Sequence, residues 1–489
     1  MTTAVILGLI FLFLLIIVTR AVRFKPSSPQ YCSLPESYFS GFKQEASSHL
    51  VEMIRCQTVS PDVKGGGYDQ FEKFQNLLKN FYPLVHGNLD HEKVNEHSLL
   101  YRWPGKVNDK PVLFMAHYDV VPADGDKWRK PPFEGIIENG IIYGRGTLDT
   151  KSTLCGILEA AEILLAENFQ PEQDIYFAFG HDEEMSGRGA EAISEILQSR
   201  GIKLDMVLDE GGAVVHGVFP GIKNPIAVVG LSEKGIADVQ VSVEGSGGHA
   251  STPGRHNPLN TLSRIIINVE KNPFKANIPV EVREMFDTLG RHMPVAYKVI
   301  FANLWLFKPL LLKMLPMVNP ELNALCRSTI VFTMAEGSKA SNVIPVKASA
   351  VANLRLAAMD TKEDALIHIE KSALKASRKA RSAKEPLTLK VTLIEGHNAS
   401  PSSSTSSEAY RKLARAINDC FRGAIVTPYI MLAASDARHF CKISNNVLRF
   451  SPIEMDESEL HSIHGVDERI SVEKLNRLVN FYYLMLSRS

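Results

Sequence analysis

Residues 111–119 read PVLFMAHYD, and this run decides the fold. Its first six residues are apolar, the length and character of a strand buried on both faces. Such strands belong to sheets covered by helices on both sides. The run ends in His117 and Asp119. On an extended chain, residues two apart point the same way, so an imidazole and a carboxylate leave this strand end together. Open α/β sheets place their ligands at that edge.

Reading outward, two more short apolar runs, 175–179 and 206–208, have the same character. Between 136 and 142, Glu138-Asn139-Gly140 separates two apolar pairs and predicts a hairpin. Leu154, Ile157, Leu158, Ala161 and Leu165 recur at helical spacing, so 152–165 is expected to be a helix. The alternation predicts an α/β layer with a largely parallel sheet.

A second pattern begins near Ser232. Strands at 236–243, 328–334, 348–356 and 387–394 and helices at 257–270 and 361–376 give the order β-α-β-β-α-β of a ferredoxin-like domain. Residues 272–327 interrupt it, and 293–318 is strongly apolar, with Phe301, Trp305, Leu306 and Phe307. From about residue 400 the α/β character returns, with a final helix after Ser471. The expected organisation is a targeting or anchoring segment (1–19) and a tether (20–40). Then follow the first part of a catalytic domain (41–231), an inserted lid or dimerisation domain (232–398, with 272–327 as its apolar insertion) and the second catalytic part (399–489).

At 489 residues, with 45% apolar and 22% charged residues, the composition excludes collagen, disordered and polytopic membrane classes. Lys plus Arg and Asp plus Glu both number 54, which gives no basic footprint for nucleic acid. None of the six cysteines forms a CxxC pair, which argues against a zinc ribbon or a thioredoxin-type site. Residues 4–18 are apolar apart from Gly8, with Arg20, Arg23 and Lys25 behind them. Such a segment is either a signal peptide, giving a secreted protein, or an uncleaved membrane anchor. The triplet Asn398-Ala399-Ser400 is a glycosylation acceptor sequence consistent with the secretory route.

Four strand ends carry the chemistry: His117-Tyr118-Asp119; the glycine-rich 144–151 (GRGTLDTK); His181-Asp182-Glu183-Glu184; and Asp209-Glu210-Gly211-Gly212. Each alone has a plainer explanation. A single HxD is usually loop, adjacent glutamates are usually a solvated face, and an Asp after a strand is usually a helix cap. Together with a C-terminal histidine, they make the imidazole and carboxylate set of a two-zinc hydrolase.

HYDVVP (117–122), GRGTLDTK (144–151), GHDEE (180–184), LDEGG (208–212), GGHASTP (247–253), NVIP (342–345), SDAR (435–438) and IHGVDERIS (463–471) occur in that order. Over residues 40–489 the chain resembles the co-catalytic zinc peptidases of clan MH, the aminoacylase and carboxypeptidase S family. SEKG (232–235), NLWLFKPL (303–310) and GVDERISV (465–472) point to its secreted branch acting on N-fatty-acyl amino acids. The resemblance implies an α/β/α sandwich with an inserted ferredoxin-like lid and two zinc ions per chain. It implies that Asp149 bridges both ions, that His117 and Asp209 complete one, and that Glu184 and His464 complete the other. Of the neighbours Asp209 and Glu210, Asp209 is taken as the ligand. Glu183 is implied as general base and Asp119 as the group orienting His117. His249 on the lid would polarise the scissile carbonyl, reaching in from a neighbouring subunit in dimeric relatives. Asn342 and Arg355 would hold a substrate carboxylate. Asp149-Thr150 is a candidate cis bond.

The function expected is hydrolysis, and reversibly formation, of the amide bond of N-acyl amino acids. A long acyl chain is suggested by the apolar 293–318, because buried methylenes are worth about 0.8 kcal/mol each. The partners expected are the N-acyl amino acid, the fatty acid and the amino acid, with membrane or lipoprotein contact and a homodimer through the lid. The alternative within the family is a carboxypeptidase or dipeptidase. A non-catalytic lipid carrier on the same fold would lack at least one of His117, Asp149, Glu183, Glu184, Asp209 and His464, and all six are present.

Overall fold

The computed structural model describes residues 2–26, 45–61, 67–185, 187–382 and 386–489. The tether expected at 20–40 therefore lies outside the described residues from position 27 onward. Its first residues continue a helix, Thr2–Arg23, which runs past the expected boundary at 19.

The main body is built on a ten-stranded mixed sheet. At its centre Gln173–Gly180, Val107–His117, Met206–Asp209 and Val447–Arg449 are neighbours, and all run parallel. Strict alternation sorts their side chains into two cores. Phe114, Ala116, Phe177 and Leu208 lie on one face, and Leu113, Met115, Tyr176 and Val207 on the other. Helices Lys151–Ala166 and Val472–Ser487 belong to the first core; Arg188–Ser199 and the 3-10 turn Asp436–Lys442 belong to the second. This is the α/β/α sandwich implied by the sequence. The hairpin at 138–140 forms as expected, with Asn139 and Gly140 at φ of 52° and 74°.

Lys151–Ala166 has twelve buried residues, as an interior helix must. Its Lys151 is buried as well. The ammonium donates to the carbonyls of Met53 (3.0 Å) and Cys56 (2.7 Å), and burial lowers its pKa to about 8. Gly156 lets the C-terminal helix lie close against this one, since a Cβ there would meet Leu478 Cδ2 at 1.9 Å.

The second unit is a four-stranded sheet in the order Thr329–Glu336, Lys347–Leu356, Gly235–Glu244, Thr388–His397, with every neighbour antiparallel. This is ferredoxin-like topology with its own core. Its helices start on side-chain caps: Asn257 accepts from the Asn260 amide, and Thr361 and Asp364 form a capping box. The segment 272–327, expected as an apolar insertion of the lid, starts on the lid core with Phe274 and then packs on the main body. Val282, Met285, Phe286 and Leu289 join the sandwich core, not the lid core.

Ser400 of the glycosylation triplet is buried, accepting from the Glu233 amide at 2.9 Å. Cys56, Cys155, Cys326, Cys420 and Cys441 are free thiols.

Replacing Gly156 by Val forces two buried helices apart. Overpacking of this kind costs on the order of 2–3 kcal/mol. A urea denaturation midpoint lowered accordingly checks it.

Candidate metal centre

Strands Val107–His117 and Gln173–Gly180 are in register at His117 and Gly180. The turns that follow therefore emerge side by side. Asp119, fully buried, ties them together. The amides of Glu183 and Glu184 donate to its two carboxylate oxygens at 3.3 and 3.1 Å. His117 Nδ1 lies 3.2 Å from its Oδ1 and 3.0 Å from its backbone oxygen. Acceptors on that side keep the proton on Nδ1 and leave Nε2 as the electron-pair donor.

The next strap is 144–151. The Asp149-Thr150 peptide is cis. The Thr150 hydroxyl donates to the His117 carbonyl (3.0 Å) and accepts from the His117 amide (3.1 Å). Asp149 Oδ1 then lies 2.9 Å from His117 Nε2. His464, at φ 58°, brings Nε2 to 3.0 Å from both Asp149 and Glu184. Four side chains, His117, Asp149, Glu184 and His464, drawn from three strand-end loops and the C-terminal segment, thus face one another.

Two triads of donor atoms, each within 4.8 Å of one another, share His117. One is His117, Asp149 and Glu184; the other is His117, Glu183 and Glu210. Beside Asp209, the acidic ligand expected from sequence, its neighbour Glu210 brings a carboxylate oxygen to 3.3 Å from His117 Nε2. Asp209 is buried and accepts from the Ala437 amide at 2.9 Å.

The donor set fits divalent cations. Four carboxylates facing two neutral imidazoles carry the charge that two divalent ions offset. Unaided, the cluster balances itself with protons. Burial, then the charge of Asp149, pushes Glu210 up to about 8. Burial raises Glu183 well above the usual carboxylate range, with Glu210 adding to it and His117 opposing. Bonds to Asp149 and Glu184 push His464 up to about 10. Burial disfavours charge on Asp149, but its bonds to His117 and His464 outweigh this and hold it well below the usual range. Carboxylates crowded to this degree call for a cation.

Sequence reading missed Glu468. It is fully buried and accepts from the amides of Gly146, Leu148 and Asp149, and from Arg145 at 2.6 Å. Arg145 also donates to the Gly465 carbonyl at 2.8 Å. One ion pair therefore locks the Asp149 loop to the His464 loop. Both residues stand inside motifs already quoted, GRGTLDTK and GVDERIS.

The three lid residues are not joined to the cluster. His249 and Asn342 are exposed, and the antiparallel ribbon Gly248–His249 with Val343–Ile344 brings their chain segments together. The Ala250 amide donates to the Asn342 carbonyl at 2.9 Å. Arg355 is half-buried on Lys347–Leu356 opposite Ile236. Among the described residues no hydrogen bond or ion pair links these three to His117, Asp149, Glu184 or Glu210.

Residues 113–488 match the profile of peptidase family M20/M25/M40. The chain belongs to this family. It is 34% identical to the probable carboxypeptidase S-like 2 of Dictyostelium discoideum, over 99% of this chain and 93% of that one. It is also 34% identical to the N-fatty-acyl-amino acid synthase/hydrolase PM20D1 of Xenopus tropicalis, over 99% and 94%. The M20 family metallo-carboxypeptidase Sso-CP2 of Sulfolobus solfataricus superposes with a TM-score of 0.66 at 19% identity, over 91% of this chain and 100% of that one. Human carnosine dipeptidase 1 superposes at 0.63 and 16%, over 93% and 98%. At such identities these two speak for the fold alone. As an M20 hydrolase the chain is a metallohydrolase, and the His117 cluster is its candidate metal site.

Exchanging neighbours separates the two acidic positions. Glu210→Gln is expected to lower the bound divalent metal per chain, and Asp209→Asn to lower it less, by elemental analysis. Glu468→Gln is expected to weaken metal affinity roughly 10- to 100-fold, as for other residues behind a metal shell, in a competitive chelator titration.

Proposed function

We propose that the chain is a zinc-dependent amidohydrolase that cleaves, and in reverse forms, the amide bond of N-acyl amino acids, above all N-fatty-acyl amino acids. The observation that carries this reading is the pair of donor triads sharing His117, with Glu183 in one of them. Zinc held by His117, Asp149, Glu184, Glu210 and His464 would lower the pKa of a water toward neutrality and so supply hydroxide. Glu183 is the residue to take that proton and return it to the leaving nitrogen. Asp119 aims His117 and fixes the backbone on which Glu183 stands, so base and ligands move as one piece.

Arg355 and Asn342 are proposed to grip the free carboxylate of the amino-acid half, the Arg through charge-assisted bonds. His249 is proposed to polarise the carbonyl. The exposure of His249 and Asn342 supports their delivery to the site of a second copy, as a homodimer through the lid would provide. The edge strand Thr329–Glu336, with Val331 and Met334 more than half exposed, supports that contact surface.

The fatty-acyl preference is supported by the relative named as an N-fatty-acyl-amino acid synthase/hydrolase. A carboxypeptidase or dipeptidase is the second reading, supported by the carboxypeptidase S-like relative at equal identity.

Purified protein incubated with oleoyl-phenylalanine and, separately, with a dipeptide distinguishes them. Turnover of the acyl amino acid is expected; turnover of the dipeptide alone would reject the lipid reading. Glu183→Gln is expected to keep its zinc and lose roughly 10²–10⁴-fold in rate, because the proton acceptor alone is removed.

A further inference from the structure

The N-terminal helix Thr2–Arg23 has two distinct halves. Residues 3–16 are exposed although nearly all are apolar. Beyond them Ile17, Ala21 and Phe24 are buried against the main body. Asn303, fully buried, donates its side-chain amide to the Ile17 carbonyl at 3.2 Å. Arg20 Nε donates to the Ala302 carbonyl at 3.0 Å. The Arg291 guanidinium sits 4.5 Å from the Phe24 ring centre and donates to the Lys25 carbonyl at 3.1 Å. Phe13 meets Trp305 edge to face at 6.1 Å. Removing the helix would uncover a buried asparagine amide and a strip of apolar core, each a cost to the folded state. A segment built into the fold in this way is a retained one.

The receiving surface is apolar as well. Helices Val295–Phe301 and Leu304–Val318 meet at 103°, and Trp305, Leu310, Met314 and Met317 stand exposed on the second. The apolar stretch Thr3–Arg23 has 21 residues. Residues 3–16, the part that stands clear of the main body, span about 21 Å at about 1.5 Å each, about two-thirds of the roughly 30 Å hydrocarbon thickness of a bilayer.

Where the helix meets this surface there is a cleft of about 400 Å³. Arg20, Arg23, Arg283 and Arg291 line it, with Asp287 and Trp305. Asp287 is engaged by Arg291 through two bonds, at 2.9 and 3.1 Å. Arg23 and Arg283 form no ion pair among the described residues. The cleft keeps an excess of guanidinium at the end of an apolar helix, the level at which headgroups lie, with a tryptophan beside it as at membrane interfaces. Arginine binds phosphate oxygens through paired donors.

We infer that Thr2–Arg23 is a retained membrane anchor and that this arginine cleft seats the phosphate of an anionic phospholipid. The lipid then lays the bent helical pair on the bilayer surface. Neither the anchor nor the headgroup site depends on which amide the enzyme cleaves.

The test uses the full chain, extracted from membranes in mild detergent. Intact mass is expected to include residues 1–26, and the protein is expected to stay with membranes through an alkaline carbonate wash. In native mass spectrometry with phosphatidylglycerol or phosphatidylcholine, phosphatidylglycerol is expected to dominate. The double variant Arg23→Gln/Arg283→Gln is expected to weaken its binding roughly thirtyfold, at about fivefold from each surface arginine. Phosphatidylcholine binding and the melting temperature are expected to be unchanged. A mature chain starting beyond residue 26, or equal phosphatidylglycerol binding by the variant, would overturn the inference. A lipid-free dimer joined through this face would assign it to a second copy and overturn it equally.

Discussion

Four carboxylates crowded around two imidazoles, three of them within bonding distance, at the edge of a sheet and partly out of water, repel one another strongly. Asp149, Glu183, Glu184 and Glu210 hold that position because the backbone beneath them is locked. Asp119 does this for the two glutamates and His117, taking two amides and an imidazole on one buried carboxylate. Glu468 does it for Asp149, taking three amides and a guanidinium. Two buried carboxylates spent on backbone donors make possible a cluster whose own charges await a cation. Taking away either partner of the Arg145–Glu468 pair would leave a buried charge alone, at a cost of about 3–5 kcal/mol.

The sheet supplies the other half of the constraint. Parallel strands in register end at the same level, so loops far apart in sequence converge there. The clustered side chains on these short loops inherit the rigidity of the strands behind them. The lid is a separate sheet with its own core, and its His249 and Asn342 are exposed.

Much of this was legible in the sequence because local signals matched the final context. The run 111–116 is uniformly apolar since helices cover both faces, and Asn139-Gly140 supplies the positive φ its hairpin needs. Glu210 is a different case, because its contact with the His117 imidazole is made by the fold and not by any local pattern. Glu468 was hidden for a related reason, since its partners lie about 320 residues upstream. The segment 272–327 interrupts the lid in sequence, yet its apolar stripe finds the sandwich core; sequence order does not fix which core a helix joins. The N-terminal helix showed its apolarity but not its seat, because Asn303 and Arg291, which hold it, are remote.

The most direct measurement is the anomalous scattering of a crystal grown with zinc. The account predicts two zinc peaks, together ligated by His117, Asp149, Glu184, Glu210 and His464, with Asp149 touching both. No peak among these side chains, or a single ion held by Asp209 with Glu210 turned away, would contradict it.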